Sequence, residues 1–343
     1  MNTLKIEGEG GSSTIYLNSS ISNVKDLIGG RRTVIITDEN LFRLHSASFP
    51  NAAEIIVVPA GEASKSLKSA GDVFRRLVDA ELDRDSLVLG IGGGVVTDLA
   101  GFVACTFMRG ISFGFVATTV LGQVDAAIGG KNGVNLDGFK NLIGIIRQPE
   151  FVLNDTAMLD TLPNEEIING TSEIIKSGLI ADLSLFEMME SAAAAESPYD
   201  VLDMGKAASM AAAVKVGVVN RDVFEHGERR HLNLGHTLGH AVEKIARLPH
   251  GYAVAVGMVA AAEISQARHM ISADDVSRIR KVITAFGLPS FIDIDLKKSM
   301  DAIRKDKKRQ SDKVNFVLLK ALGEATVIPI AFEELEEALR DLR

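Results

Sequence analysis

The chain has 343 residues, 46% of them hydrophobic and 24% charged, with a formal net charge of −8; this is the make-up of a globular protein of about two domains. An acidic chain is a poor general ligand for nucleic-acid phosphate, although a small basic pocket remains compatible with it. The single cysteine, Cys105, excludes an intrachain disulfide, no charged-then-apolar leader opens the sequence, and no apolar run reaches the roughly 18 residues that span a bilayer, so a cytoplasmic protein that meets no membrane is expected.

In chain order, residues 33–37 and 55–58 are β-branched runs closed by polar or Pro/Gly signals, and both read as strands. Residues 66–82 carry Leu67, Ala70, Val73 and Leu77 at helical spacing. Residues 86–91 form a further apolar run that leads straight into three glycines. Strand, helix, strand, glycine turn and helix is the order of a parallel sheet with crossover helices, and such sheets take ligands at the carboxyl ends of their strands. After about residue 155 Ala, Met and Leu dominate. Residues 191–219 (broken near Pro198), 234–246 and 254–269 read as helices, and 314–319 as a short strand. The expected division is an α/β domain over 1–155 and a mostly helical domain over 156–343.

Several constellations carry chemistry. Gly92-Gly93-Gly94-Val95-Val96-Thr97-Asp98 follows a strand and opens a helix, so its backbone N–H groups and the helix dipole favour a phosphate. It is not the dinucleotide fingerprint GxGxxG, and the same residues also read as a tight turn. Glu62 and Lys65 follow the strand 55–58, where they suit a ribose or phosphate, or simply a solvated loop. Thr118-Thr119, Gln123-Val124-Asp125, Gly129-Gly130-Lys131-Asn132-Gly133 and Gly138-Phe139-Lys140-Asn141 crowd polar and basic residues into glycine-rich turns that suit anions.

The histidines are the most specific signal. His236 and His240 stand four apart, on one face of a helix, and His250 follows ten residues later. Imidazole favours zinc-like ions, and a carboxylate is needed to complete the set. Glu173 in Gly170-Thr171-Ser172-Glu173-Ile174-Ile175-Lys176 is the natural candidate, with Lys176 its helical neighbour. Lys215, Arg229 and the charged run 305–309 are the scattered basic residues of this half.

Together, residues 92–109, 118–141, 170–178, 229–243 and 250–258 resemble the 3-dehydroquinate synthase family, collinearly from about residue 37 to 323. The resemblance implies a Rossmann-like parallel sheet in the first domain and a helical second one. It implies Glu173, His236 and His250 as ligands of zinc or cobalt, with His240 moved to the substrate. It implies NAD at Asp38, Glu62, Lys65, Gly93, Gly94, Val95, Asp98, Thr118, Thr119, Lys140 and Thr161. Lys131, Lys176, Lys215, Arg229, Asn233 and His240 would be catalytic. Arg109, Asp125, Asn141 and Lys307 would bind substrate, with Arg109 supplied by the partner of a homodimer.

The implied reaction converts 3-deoxy-D-arabino-heptulosonate 7-phosphate to 3-dehydroquinate and phosphate, within the shikimate route to chorismate and the aromatic amino acids. It runs by transient oxidation by NAD, phosphate elimination, re-reduction and aldol closure, so NAD is regenerated in each turnover. A sister cyclase acting on sedoheptulose 7-phosphate is the alternative. Thr97, Thr171, Ser172, Ser177 and Tyr252 depart from residues common in the family.

Overall fold

Seven strands build the sheet that carries the glycine turn: β1 (Asn2–Gly8), β2 (Gly11–Leu17), β3 (Thr33–Asp38), β4 (Glu54–Val58), β5 (Leu87–Gly92), β6 (Ser112–Ala117) and, after the pair β7 (Lys131–Leu136) and β8 (Phe139–Ile146), β9 (Phe151–Asn154). The computed structural model describes residues 2–293, 295–306 and 313–341. Its chain divides into two units, Met1–Ile167 with Lys215–Phe224, and Ile168–Val214 with Glu225–Arg343.

In the first unit the sheet order is β1-β2-β9-β6-β5-β3-β4. Only the β1–β2 hairpin is antiparallel; the other neighbours run parallel. Strand β5 is buried along its whole length and β3 along all but its last residue, which is why both read as unbroken apolar runs instead of alternating ones. Ile35, Leu87, Leu89, Ile91, Val116 and Leu153 pack with Val24 and Ile28 into one core. From β3 the chain passes outward to β4 and then returns to place β5 on the other side of β3. The order of the sheet reverses there, so the carboxyl ends of β3 (Asp38) and β5 (Gly92) flank the crevice where parallel sheets take ligands.

The glycine-rich stretch after residue 130, read from sequence as polar turns, is an antiparallel ribbon of β7 and β8. Asp137 and Gly138 connect its strands with φ of 49° and 78°, the left-handed pair that a two-residue hairpin requires.

The second unit is mainly helical. It holds the helix Asn164–Ala181 from Ile168 on and the helices Leu183–Ala193, His236–Ala246, His250–Ala267 and Ala273–Ala285, accompanied by the antiparallel pair β10 (Lys313–Ala321) and β11 (Glu324–Ala331). The expected run 314–319 lies inside β10. The parallel-rich sheet and the helical second half agree with the fold class expected from sequence. Among the described residues no helix is long and apolar enough to cross a membrane.

Candidate functional site

In the first unit the helix Gly94–Thr106 starts directly on the glycine turn, with Gly93 as its N-cap. A Cβ on Gly93 would lie 2.8 Å from Thr119 Cγ2, and one on Gly92 would lie 2.6 Å from Val96. Glycine is needed here for close approach. Gly93, Gly94 and Val95 therefore present backbone at a helix N-terminus beside Thr118 and Thr119, and Thr118 N donates to Gly92 O. The departure Thr97 is buried in this helix and bonds its own turn, Oγ1 donating to Gly94 O at 3.2 Å.

One turn into that helix Asp98 accepts from Lys65 Nζ at 2.6 Å, and both side chains are largely buried. Burial raises the Asp98 carboxyl and the Lys65 ammonium opposes it, leaving the pKa at about 6. Glu62 Oε1 accepts from Asn135 Nδ2 at 2.8 Å, and Asn135 Oδ1 accepts from the backbone N of Asn141 at 2.9 Å. Lys65 Nζ also lies 3.9 Å from Glu62 Oε1, so Glu62, Lys65, Asp98 and Asn141 are joined into one cluster, with Asn135 as a link that sequence reading did not name.

Asp38 ends β3 and caps the helix Glu39–His45, its Oδ1 accepting from Leu41 N at 3.0 Å. Thr161 Oγ1 lies 2.7 Å from His45 Nε2. Lys131 opens β7 and Lys140 lies on the exposed β8. Lys215 Nζ donates to both the backbone O (2.7 Å) and Oδ1 (2.6 Å) of Asp125. Arg109 is exposed in a turn where Met108 and Arg109 take φ of 49° and 69°, left-handed values that non-glycine residues rarely adopt.

In the second unit two close backbone approaches bring the ligand candidates together. Gly251 N donates to Asn169 Oδ1 at 2.6 Å, and a Cβ on Gly251 would fall 1.9 Å from Asn169 O. That contact seats the start of the helix His250–Ala267 against the helix Asn164–Ala181, which carries Glu173. A Cβ on Gly257 would likewise fall 1.9 Å from Gly235 O, and Gly235 (φ 79°) is the N-cap that starts the helix at His236.

The result is a trio, Glu173, His236 and His250, whose ligand atoms lie within 4.8 Å of one another. Glu173 is 1% exposed. Glu173 Oε1 lies 3.8 Å from His236 Nε2 and 3.6 Å from His250 Nε2. Lys176 Nζ is ion-paired with Oε2, yet neither carboxylate oxygen receives a hydrogen bond of proper geometry among the described residues.

His236 Nδ1 lies 3.1 Å from Leu234 O, and His250 Nδ1 lies 3.4 Å from Glu243 Oε2. Both rings can therefore donate from Nδ1 and aim a lone pair on Nε2 at Glu173. A zinc-like ion with ligands at about 2.0–2.2 Å in a tetrahedral set spaces them roughly 3.3–3.6 Å apart, so the trio fits a divalent metal.

The electrostatics agree. For Glu173, burial pushes upward, but Lys176, His250 and His236 outweigh it and hold the carboxyl well below its ordinary range. Burial, with Lys176 nearby, keeps His236 well below its ordinary value and hence neutral. Burial would also lower His250, but the neighbouring Glu173 and Glu243 carboxylates raise it to about 9.

His240, one helical turn after His236, is exposed, with ring centroids 5.5 Å apart. It forms a neighbouring group with Glu243 and His250 instead of joining the trio. Arg229 is buried in the turn Glu228–Asn233, and Asn233 Nδ2 donates to Glu225 Oε1 at 2.5 Å. Ser172 and Ser177 bond their own helix at Asn169 O and Glu173 O, and Tyr199 donates to Thr171, so those departures are absorbed locally. The substrate candidate Lys307 lies outside the described residues.

Sequence reading missed Asn169, Glu225 and Glu243. A carboxylate seven residues before His250, and one turn after a candidate His, is the only signal that marks Glu243 as an orienting partner.

Two family models tile the chain: 3-dehydroquinate synthase N-terminal over residues 55–169, and 3-dehydroquinate synthase C-terminal over 170–309. A 3-dehydroquinate synthase of Thermoanaerobacter pseudethanolicus is 40% identical over 333 residues, 92% of each chain. Among solved structures, 2-deoxy-scyllo-inosose synthase complexed with carbaglucose-6-phosphate, NAD+ and Co2+ matches with a TM-score of 0.86 and 24% identity, covering 99% of this chain and 100% of that one. The 2-epi-5-epi-valiolone synthase of Streptomyces hygroscopicus subsp. jinggangensis, with NAD+ and Zn2+ bound, gives 0.87 at 24% identity and covers 100% and 98%. Those two establish shared fold alone, whereas the tiling models and the relative matched across nearly its whole length fix the kinship: the chain belongs to the 3-dehydroquinate synthase family.

Proposed function

We propose that the chain is a phosphate-eliminating carbon–oxygen lyase that converts 3-deoxy-D-arabino-heptulosonate 7-phosphate to 3-dehydroquinate and phosphate. The observation that carries this, beside family membership, is the buried Glu173 carboxylate, which has no hydrogen-bond partner among the described residues and is faced by Nε2 of both His236 and His250. In this reading the first unit binds NAD around the glycine turn and the Lys65–Asp98 pair, and the second holds the metal and much of the substrate machinery. A divalent ion, zinc or cobalt, would supply Lewis acidity toward substrate hydroxyl and carbonyl oxygens, and NAD a transient oxidation.

The chain's own residues do the rest. Lys176 keeps Glu173 ionised, Leu234 O orients His236, and Glu243 orients His250. Arg229 and Lys215 offset the negative charges of a carboxylate and a phosphate, Arg by planar bidentate contact and Lys as a point charge. Asn233, held by Glu225, offers an amide to substrate hydroxyls. His240, exposed beside the trio, exchanges protons. Lys131, Asp125 and Asn141 complete the substrate set, and Arg109, exposed in its strained turn, serves the second copy of a homodimer. The same reading places the protein in the cytoplasm, in the shikimate route.

The test is turnover of the heptulosonate phosphate with catalytic NAD and zinc. One phosphate released per dehydroquinate, no net NADH, loss with EDTA and recovery with metal is the expected result. Turnover of sedoheptulose 7-phosphate in its place would move the chain to the sister cyclases. Stoichiometric NADH from a simple polyol would overturn the cyclase reading.

A further inference from the structure

Between Thr119 and Ile128 the backbone makes a single π-helical turn, Gly122–Ala126, in which Ala127 N donates to Gly122 O five residues back. Such turns are uncommon and widen a helix at the cost of one unpaired residue, so something must hold them open. Gln123 does so, and it is fully buried. Its Nε2 donates to Ala117 O at 3.0 Å and to Asp155 O at 2.9 Å. Ala117 is the last residue of β6, and Asp155 directly follows β9, the strand that pairs with β6. These carbonyls lie where the sheet ladder ends, and one carboxamide satisfies both. In return Asn154 Nδ2 donates to Gln123 O at 2.8 Å. Three side-chain hydrogen bonds therefore pin Gln123 to the carboxyl rim of the sheet.

Two residues later the same turn presents Asp125, whose backbone O and Oδ1 both accept from Lys215 Nζ. Gly122, at the start of the turn, lies against Gly93 Cα and receives Thr119 Oγ1 as acceptor for its N–H. The turn thus sits between the glycine cradle and the Lys215 ammonium.

We infer that Gln123 is a positioning residue: by bolting the π turn to the ends of β6 and β9, it fixes Asp125 and through it sets where Lys215 places its charge. Its effect on turnover rests on the reading of Lys215 as a substrate-binding residue given above. Its effect on Lys215 itself rests only on these contacts.

The experiment reads both. In Gln123→Glu the two donors become acceptors facing two carbonyls, and in Asn154→Leu the third bond is lost. Each full-length variant is treated with a water-soluble acetylating ester, and acetylation of single lysines is followed by mass spectrometry. Lys65, buried in the same unit but paired with Asp98, is the internal control for general loosening. Lys215 is expected to react about tenfold faster in either variant, with Lys65 unchanged, because opening of one turn exposes only what that turn holds. A joint rise at both lysines, or no rise at Lys215, overturns the inference.

For turnover, Gln123→Glu should raise KM for the heptulosonate phosphate far more than it lowers kcat, and in a Lys215→Met background the same substitution should add less than about twofold. Equal penalties in both backgrounds would overturn the route through Lys215. If Lys215→Met alone leaves turnover intact, the substrate role of Lys215 fails, and the acetylation result still decides the positioning role.

Discussion

Glu243 Oε2 lies 3.4 Å from Nδ1 of His250, across the ring from the Nε2 that faces Glu173. Two carboxylates therefore bracket one imidazole. Without a metal they stabilise the imidazolium form against burial, and the pKa rises to about 9. With a metal, only one of them faces the ion, and the other fixes the ring.

A metal and a proton compete for His250 Nε2. His236 is held neutral and Glu173 ionised, so His250 is the trio's main source of proton competition. Apparent zinc or cobalt affinity should rise about tenfold per pH unit up to about pH 9 and level off above it. Cobalt absorption titrations one pH unit apart check this, and equal affinities would contradict it. The linked stability runs the other way. A histidine raised from 6.5 to about 9 stabilises the metal-free fold below 6.5, and this contribution is lost as the pH climbs through about 9. Thermal unfolding of the stripped protein should show that decline.

Glu243→Gln keeps the shape of the side chain and removes its charge. Loss of an orienting carboxylate should weaken metal binding about 10–100-fold and lower the pH at which affinity levels off. Chelator competition measures both. A variant with unchanged affinity would show that His250 is oriented by its helix alone.

NAD binding should depend on Asp98. Its carboxyl, raised to about 6 mainly by burial, takes up a proton as the pH falls through that value and releases its grip on Lys65. NAD affinity is expected to drop below about pH 6, and Asp98→Asn should abolish that step while weakening binding throughout. Fluorescence titration with NADH across this range is the check, and a step that survives the substitution would assign it to another group.

Gly257→Ala tests how the trio is assembled. The added Cβ, 1.9 Å from Gly235 O, must push back the N-cap of the helix that begins at His236. Destabilisation of about 1–3 kcal/mol is expected from overpacking, with metal affinity falling as His236 moves. Denaturant unfolding and metal titration together would contradict this if only stability changed.

The glycine turn and the central parallel strands were readable because β5 is apolar throughout and ends on three glycines. The helix from Asn164 was less so, because Glu173 and Lys176 look like a surface pair and are both buried. Spacing offered His236 and His240 equally. A four-residue step places both on one face, but it cannot tell which of them the neighbouring helix covers. The resemblance chose His236 and His250, and the structure gathers those two around Glu173. The β7–β8 ribbon escaped notice because its strands are rich in Gly, Asn and Lys, and its Asp137-Gly138 turn was the one legible cue. Asn169 and Gln123 act through hydrogen bonds to distant backbone, for which sequence holds no periodic signature.

The segment Lys215–Phe224 belongs with the first unit although some fifty residues of the second precede it. Asn220 exchanges hydrogen bonds with Lys5 and Glu7 of β1, a Cβ on Gly8 would press on Val223, and Lys215 reaches Asp125. No single cut therefore releases the first unit whole: a fragment ending at Ile167 would strip β1 of its cover and Asp125 of its ammonium. The family models meet at residues 169 and 170, yet that seam is not a joint at which halves of two relatives can be traded freely. A chimera spliced there would inherit strands from one parent and their clasp from the other, and recombination would succeed only where those few pairs still matched.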